Sequence, residues 1–331
     1  MNIRSGNNFS RRGLLRAGSM AAVAGVVGMP AFAKAPMLDT QVPTFYRFKL
    51  GSAEATIVSD GVLPLGDPHA AFLGPTPAEL DKMLAANFLP TASAPLEQNT
   101  LVLNTGDRII IFDNGMGLSR LFGDTTGKLL VTLKQAGIDP KDVDALVMTH
   151  AHIDHCGGIA AADGSLNFPN AQLYITESDY NYWTDEQKVG PNLKAFYEQT
   201  KHNLVPNKER ITWVKDGQEI LPGVHAIHAP GHTVGHTMYM INVGNDQLCY
   251  IGDLAHHPVL LLEKPLTEFA YDTDPKQSAQ SRVKMLNMLA ANKTMILAYH
   301  FAWPGIGHVA KDGDGFRYFP AGTTQMQVAP L

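Results

Sequence analysis

The stretch that decides the fold is Thr149-His150-Ala151-His152-Ile153-Asp154-His155-Cys156-Gly157-Gly158. Four side chains that can bind a metal ion fall within six of its residues, namely His150, His152, Asp154 and His155. They follow Asp144-Ala145-Leu146-Val147-Met148, a short apolar run that predicts a buried strand. Imidazoles and a carboxylate crowded together in a protein interior are poorly solvated unless a cation pairs with them. The pattern therefore predicts a strand that ends in a metal-binding loop.

Three further apolar strands are predicted to end in a metal-capable residue. Ala229-Pro230-Gly231-His232-Thr233-Val234-Gly235-His236 follows one strand and contains two histidines at i and i+4. Tyr250-Ile251-Gly252-Asp253 ends in an acid, and Ala298-Tyr299-His300 ends in a histidine. A single histidine at a strand end is more often a satisfied polar residue than a ligand. Several such strand ends in a chain that already has the first motif favour one shared metal site.

The N-terminus is typical of an export signal. Ser10-Arg11-Arg12-Gly13-Leu14-Leu15 carries paired arginines, a weakly apolar run follows over 17–29, and Ala31-Phe32-Ala33 matches an A-x-A cleavage pattern. We therefore predict a twin-arginine signal peptide at 1–33 and a periplasmic or secreted mature protein. The alternative, a transmembrane anchor, is disfavoured because the run is short and rich in glycine and alanine for a hydrocarbon layer of about 30 Å. No later segment has the length and apolarity of a membrane helix.

The remaining residues, 34–331, are enough for one large domain with a sizeable core. The full chain has 26 basic and 31 acidic residues and a net charge of −5. The predicted signal contains four arginines and no acid, so its removal takes the net charge to −9. No basic footprint for a nucleic-acid partner is visible. The two cysteines, Cys156 and Cys249, allow one disulfide at most and imply no disulfide framework.

Strand and helix signals alternate along the rest of the chain. Strands are predicted at 55–59, 99–104, 108–113, 172–176, 225–229, 237–243, 247–252 and 295–299, and helices at 118–136 and 278–291. Turn residues predict hairpins across Thr105-Gly106-Asp107 and across 244–247, and Asp60-Gly61 is predicted to be a turn that ends the first strand. This order predicts two packed sheets with helices outside, an αββα sandwich of the α/β class (α+β by some schemes).

The stretch from Pro64 to Pro95 is rich in proline and alanine and is weakly patterned. It is open to two interpretations, a loop over the site or part of the contact in a homodimer.

The order of these motifs resembles the metallo-β-lactamase superfamily of hydrolases. The resemblance starts with Asp113 in a strand-end Asp-x-Gly and runs through the first metal loop, Pro-Gly-His232-Thr and Gly-Asp253 to His300. It implies an αββα sandwich that holds two divalent ions, zinc by preference, with manganese, cobalt or iron as alternatives. By this resemblance, one ion would be bound by His150, His152 and His232, the other by Asp154, His155 and His300, and Asp253 would bridge them. Asp113 would orient the metal loop by hydrogen bonds, and His236 would lie behind the ligands.

The reaction implied by the resemblance is hydrolysis by a metal-bridging hydroxide, with Asp253 and Asp154 as the catalytic carboxylates. Asp253 would position the nucleophile. Asp154 stands beside His155, and Asp253 stands where the β-lactamases of the superfamily typically have a cysteine. Both features favour ester, lactone or phosphoester substrates over antibiotics.

The C-terminal runs 300–308 and 315–320 resemble the methyl parathion hydrolase and lactonase group, as do Leu121-Phe122-Gly123 and Tyr180-Asn181-Tyr182-Trp183. In that group, aromatic side chains at the positions of Phe122, Trp183 and Phe196 line the leaving-group pocket, although ordinary core packing explains Phe196 equally well. His256 and His257 stand where the specialised phosphotriesterases have apolar residues. Unless they are a surface pair, they would make the pocket more polar and favour lactones over bulky aryl phosphotriesters.

The sequence leaves functions of three classes open. The first is a binuclear hydrolase of lactones and aryl esters with promiscuous phosphotriesterase activity, or, within the same class, a dedicated organophosphate hydrolase of the methyl parathion hydrolase type. The second is a mononuclear iron oxidoreductase of the sulfur-dioxygenase kind, which would need fewer ligands. The third is a binding protein without metal. Metal analysis separates these classes.

Overall fold

The computed structural model describes residues 44–322, so the predicted signal peptide at 1–33 lies outside the described residues. The strands within this range are β1 (Phe45–Leu50), β2 (Ala53–Pro64), β3 (Phe72–Leu73), β4 (Pro95–Asn104), β5 (Ile109–Phe112), β6 (Ala145–Val147), β7 (Gln172–Thr176), β8 (Ile211–Val214), β9 (Glu219–Leu221), β10 (Val224–His228), β11 (Thr237–Val243), β12 (Asp246–Tyr250), β13 (Glu268–Phe269), β14 (Met295–Leu297), β15 (Ile306–Asp312) and β16 (Gly315–Pro320). The α-helices are α1 (Pro68–Ala71), α2 (Pro77–Ala86), α3 (Leu129–Gln135), α4 (Ile153–Cys156), α5 (Glu177–Trp183), α6 (Glu186–Val189), α7 (Lys194–Leu204) and α8 (Pro275–Asn292). Short 3₁₀ turns lie at Pro140–Asp142, Pro191–Leu193 and Val205–Arg210.

Two seven-stranded mixed sheets form the body of the fold. The first has the order β1-β2-β4-β5-β6-β7-β8, and the second has the order β16-β15-β14-β12-β11-β10-β9. The pairs β5–β6, β6–β7, β7–β8 and β12–β14 are parallel, and the other pairs in these sheets are antiparallel. Both predicted hairpins, β4–β5 and β11–β12, are confirmed.

Alternation of apolar side chains along the strands produces the layers. On β5, Ile110 and Phe112 face the core shared by the two sheets, whereas Ile111 packs in the cluster that contains residues of α3, α5 and α7. On β12, Leu248 packs in the shared core and Cys249 packs in the cluster that contains α8. Successive strand residues point to opposite faces, so each sheet buries both of its faces. The resulting order is helix, sheet, sheet, helix, which confirms the predicted αββα sandwich.

The predicted helix at 118–136 is wrong over its first half, because helix α3 begins only at Leu129. The reason is Asp60, a fully buried carboxylate that accepts the backbone N–H groups of Met116 at 2.9 Å, Gly127 at 3.1 Å and Leu129 at 2.7 Å. These bonds hold 114–128 as a loop. The predicted turn at Asp60-Gly61 is also wrong, since β2 continues across an irregular pairing there and ends at Pro64.

The weakly patterned stretch from Pro64 to Pro95 contains α1, β3 and α2. The two helices were missed because they are short, but each has a clear start: Asp67 caps α1, and Thr76 forms a capping box with Glu79 on α2. Strand β3 pairs with β13, which ties this segment to the second half of the chain. A contact of this stretch in a homodimer stays a prediction.

Cys156 and Cys249 are both buried and free, so the chain's two cysteines form no disulfide. Within residues 44–322, none of the helices combines the length and the apolarity that a membrane crossing needs.

Candidate metal centre

The seven predicted metal ligands come from four loops, each of which follows a strand. His150 and His152 follow β6, and the short helix α4 then carries Asp154 and His155. His232 follows β10, Asp253 follows β12 and His300 follows β14. All seven side chains are at least nine-tenths buried. The fold therefore brings together every residue that the sequence assigned to metal binding.

The donor atoms form two adjoining groups. Those of His150, His152, His232 and Asp253 lie within 4.8 Å of one another, and so do those of Asp154, His155 and His300. Asp253 Oδ2 lies 3.2 Å from His232 Nε2 in the first group. It also lies 3.3 Å from the Nε2 atoms of His155 and His300 in the second group. Zinc–nitrogen bonds of about 2.0–2.1 Å place neighbouring ligands of one ion about 3–3.5 Å apart, so these spacings fit two ions that share Asp253.

The protonation of the centre also fits metal binding. Burial alone would raise the pKa of Asp253, but the nearby imidazoles of His155 and His300 hold that pKa well below its usual range. Burial lowers the pKa of His150 and His152 well below the ordinary histidine value, so both are neutral. The neighbouring carboxylates instead outweigh burial at His155, His232 and His300 and raise the pKa of each above that value. Asp253 Oδ1 is buried and has no hydrogen-bond partner among the described residues. A divalent cation binds ionised carboxylates and neutral imidazoles, so its binding here would displace protons from His155, His232 and His300 and take over their pairing with the carboxylates.

Asp113 lies behind the first metal loop and organises it. Its Oδ1 accepts the backbone N–H of Thr149 at 2.8 Å, and its Oδ2 accepts the Thr149 hydroxyl at 2.9 Å. The same Oδ2 lies 2.8 Å from His155 Nδ1 and accepts the Tyr250 hydroxyl at 3.1 Å. Asp113 adopts a left-handed φ of 59° at the end of β5, a conformation that aspartate tolerates better than most residues. A carboxylate on Nδ1 leaves His155 Nε2 free for a metal.

Asp272 has the corresponding position behind the first group of donors, and no sequence pattern predicts this role. Its Oδ1 lies 2.8 Å from His232 Nδ1, which directs His232 Nε2 into the centre. The fully buried Arg282 of α8 lies 3.8 Å from Asp272 Oδ2. Arg282 also donates to the carbonyl of Leu254, the residue that follows Asp253, at 2.9 Å. Asp272 was missed because it lies two residues before Asp274, the N-cap of α8, and looks like part of that cap.

His236, predicted to lie behind the ligands, has both ring nitrogens engaged. Its Nε2 accepts the backbone N–H of Asp253 at 3.0 Å, and its Nδ1 lies 3.1 Å from the carbonyl of Ala229. Burial lowers its pKa to about 3, so the ring is neutral. His236 therefore supports the backbone of Asp253 and has no free nitrogen to offer a metal.

The two adjacent histidines after Asp253 have different surroundings. His256 is buried, its Nε2 lies 3.0 Å from Asp253 Oδ2, and its ring stacks on Phe269 at a centroid distance of 3.9 Å. His256 Nδ1 has no partner among the described residues. In contrast, His257 Nδ1 accepts the backbone N–H groups of Val259 and Leu260, each at 3.2 Å. The surface-pair interpretation is wrong because both side chains are buried.

A cavity opens onto the metal-binding side chains. Its walls are Leu63, Leu65, Leu96, Phe122, Phe196, Phe269 and Tyr271, and His256 lines it beside the ligands. Phe122, Phe196 and His256 thus lie where the sequence predicted. Trp183 and His257, also predicted for the pocket, do not line it. Trp183 is buried behind His152, with ring centroids 4.5 Å apart, and His257 is held by the backbone of the following turn. The leucines, Phe269 and Tyr271 were missed because single apolar or aromatic residues look like ordinary core in a sequence.

Known proteins with similar sequences and structures are metal-dependent hydrolases. The family profile of the metallo-beta-lactamase superfamily matches residues 94–300. An N-acyl homoserine lactonase from Bacillus sp. is 27% identical over 172 residues, which cover 50% of this chain and 61% of the lactonase. This chain thus spans about three-fifths of that relative.

Two solved structures are similar over most of this chain. AidC, a dizinc quorum-quenching lactonase in complex with the product N-hexanoyl-L-homoserine, has a TM-score of 0.80 and 30% identity, with 85% of this chain and 98% of AidC covered. The hydrolase AbOPH, in the beta lactamase superfamily, has a TM-score of 0.79 and 28% identity, with 86% and 99% covered. These similarities agree with the two-sheet architecture.

Proposed function

The chain belongs to the metallo-beta-lactamase superfamily, and from that premise we propose that it is a binuclear metal-dependent hydrolase that opens lactones and cleaves aryl esters. The observation that carries the proposal is the pair of donor groups around Asp253 Oδ2, which face a cavity with apolar walls. The similarity to AidC and to the Bacillus lactonase supports a lactone as the substrate class. The narrower resemblance to methyl parathion hydrolase, and with it a phosphotriesterase activity, is part of the proposal only as a secondary reaction.

Two divalent ions bound here would lower the pKa of a water molecule to about 7 and polarise the carbonyl oxygen under attack. The residues of the chain prepare the site for that chemistry. A single oxygen of Asp253, Oδ2, lies 3.2 Å from His232 Nε2 and 3.3 Å from His155 Nε2, so it links the two donor groups. Asp154 Oδ2, which lies 3.4 Å from both His155 Nε2 and His300 Nε2, supplies a second negative charge to the same end of the cavity. His300 keeps its Nε2 directed inwards because its Nδ1 lies 2.8 Å from the carbonyl of Glu97.

The cavity walls bind the apolar part of the substrate and keep water from it. The rings of Phe122 and Phe196 pack edge to face, with their centroids 6.5 Å apart. Leu63 and Leu96 also line the cavity. The polar groups that line it are the metal-binding side chains, His256 and the hydroxyl of Tyr271. This division suits a small polar ring or ester group with an apolar substituent.

His256→Leu is expected to shift specificity from lactones toward aryl phosphotriesters. The imidazole lies in the cavity wall 3.0 Å from Asp253 Oδ2. Its Nδ1, which has no partner among the described residues, needs a hydrogen-bond partner that a polar lactone can supply and an aryl group cannot. A change of about 10–200-fold is usual for a pocket contact. The measurement is the ratio of kcat/KM for a six-membered lactone to that for a nitrophenyl phosphotriester.

His257→Leu is the matched control. We expect it to lower thermal stability, since it removes the acceptor for two backbone N–H groups, and to leave the substrate ratio unchanged. An unchanged ratio in the His256 variant, with its metal content intact, would remove the reason to prefer lactones.

A substrate panel with metal analysis tests the proposed function as a whole. Purified protein is assayed on lactones, aryl esters and phosphotriesters, and its bound metals are counted. We expect two divalent ions per chain and the highest kcat/KM on lactones. Two ions with phosphotriesters as the best substrates would favour the dedicated organophosphate hydrolase. One iron, or no metal at all, would instead support the dioxygenase-like or the binding function.

We also propose that the protein is exported by the twin-arginine route, on the motif at Arg11 and Arg12. Changing both residues to lysine is expected to leave the protein in the cytoplasm at its full length. Cell fractionation with mass measurement of the recovered chain tests this. Recovery of the double variant from the periplasm in the normal amount would indicate another route.

A further inference from the structure

Asp179, on the first turn of α5, joins two of the metal-binding loops. Its Oδ2 accepts the backbone N–H of Ala151 at 2.7 Å, and its Oδ1 accepts the backbone N–H of Gly235 at 2.7 Å. Ala151 lies between His150 and His152, and Gly235 lies three residues after His232. A single carboxylate thus holds both loops that carry the histidines of the first donor group. The side chain is fully buried, and burial raises its pKa to about 6.

The contact between α5 and the second loop is close. A Cβ atom on Gly235 would lie 2.1 Å from Thr176 Oγ1 and 2.5 Å from Ser178 Oγ, so only glycine allows the loop to reach the helix start. Thr176 Oγ1 also donates to the carbonyl of Gly235 at 3.2 Å. One turn further along α5, Trp183 packs against the His152 ring. The helix therefore contacts both loops at the positions that fix the first donor group.

The second donor group does not depend on this helix in the same way. His155 is held by Asp113, and His300 is held by the carbonyl of Glu97. Neither of these partners bonds to Asp179. A change at Asp179 should thus reach one donor group and largely spare the other.

We propose that Asp179 is a positioning residue that sets the affinity of the ion bound by His150, His152 and His232, and not that of the second ion. The proposal rests on the binuclear site proposed above. Without the carboxylate, the buried N–H groups of Ala151 and Gly235 lose their acceptors, and the two loops are no longer held at a fixed distance. Loss of residues that orient metal ligands typically lowers metal affinity by about 10–100-fold.

The test is zinc retention by the Asp179→Asn protein. Asparagine has nearly the shape of aspartate but presents an amide N–H to one of the two backbone donors. Purified holoprotein is dialysed against buffers of graded free zinc, and the bound zinc is measured. The unmodified protein should retain two zinc ions, whereas the variant should lose one of them at about 10–100-fold higher free zinc and retain the other normally. Equal retention of both ions, or equal loss of both, would overturn the proposal.

Two ligand variants identify the affected ion. The His300→Ala change impairs the second donor group. In that background, Asp179→Asn should lower the affinity for the remaining ion by the same factor as in the unmodified protein. In a His232→Ala background, which impairs the first group, Asp179→Asn should have little further effect. The opposite pattern would assign Asp179 to the second ion and contradict the proposal.

Asp60→Asn is the matched control, because Asp60 is also a fully buried carboxylate that accepts backbone N–H groups and whose pKa is raised to about 6 by burial. It holds the 114–128 loop and should leave the affinity of the first ion unchanged. An equal loss of zinc affinity in the Asp60→Asn protein would show that removing any buried carboxylate has this effect.

If Asp179→Asn fails to fold, Gly235→Ala separates the same loop from α5 and should lower the affinity of the same ion. An unmodified protein that binds no zinc would instead overturn the proposed function.

Discussion

Replacing Asp253 with alanine is expected to abolish hydrolysis and to reduce the bound metal from two ions to less than one. The Oδ2 atom of Asp253 contacts the Nε2 atoms of five histidines at 3.0–3.7 Å, in both donor groups. Its loss therefore removes the charge that offsets two cations at once. Loss of a residue that only hydrogen-bonds to a metal ligand typically lowers activity by about 10–100-fold, and loss of Asp253 should lower it further. Metal content per chain and kcat/KM on a lactone are the measurements.

Asp246→Ala is the control for this variant. Asp246 is exposed and lies at the start of β12, the strand that Asp253 follows. It accepts only the backbone N–H of Gly51, at 2.7 Å, and it should retain both ions. Near-normal turnover with two bound ions in the Asp253→Ala protein would exclude a bridging role for this carboxylate.

His232→Ala is expected to cost far more activity than His236→Ala. The two histidines are fully buried in one loop, four residues apart, but only His232 directs a ring nitrogen to Asp253 Oδ2. His232→Ala should lose an ion and most of its activity. His236→Ala removes the acceptor for the Asp253 backbone N–H, so it should keep both ions and lose about 10–100-fold in kcat/KM. Metal analysis of both proteins decides the assignment, and loss of the ion from the His236 variant alone would reverse it.

The fold and the metal-binding residues were predictable because each ligand follows an apolar strand in a short, recognisable motif. His150, His232, Asp253 and His300 all stand directly after such strands, and the order of the strands indicated the sandwich. Local patterns of this kind remain visible in a single sequence because strand, turn and ligand are neighbours along the chain.

The residues that hold the ligands were not predictable in the same way. Asp179 looks like an ordinary acidic residue of a helix start, and Asp272 looks like part of a cap, yet both contact loops far away in the sequence. Asp60 was assigned to a turn for the same reason, and the helix predicted after Leu118 was wrong because Asp60 holds that segment from a distance. The pairing of one buried carboxylate with distant backbone N–H groups leaves no local pattern. The signal peptide and the homodimer stay predictions.

The cavity walls and the metal-binding side chains are supplied largely by different segments of the chain. Leu63 is on β2, Leu96 on β4, Phe122 in the 114–128 loop and Phe196 on α7, and none of these is a neighbour in sequence of the metal ligands. Mutations at the walls therefore change which molecules fit without altering the hydrogen bonds that hold the ligands. Under selection for a new substrate, single substitutions at these walls are thus expected to change substrate fit while the hydrogen bonds behind the metal ligands stay in place. The architecture separates the evolution of selectivity from the retention of catalytic power.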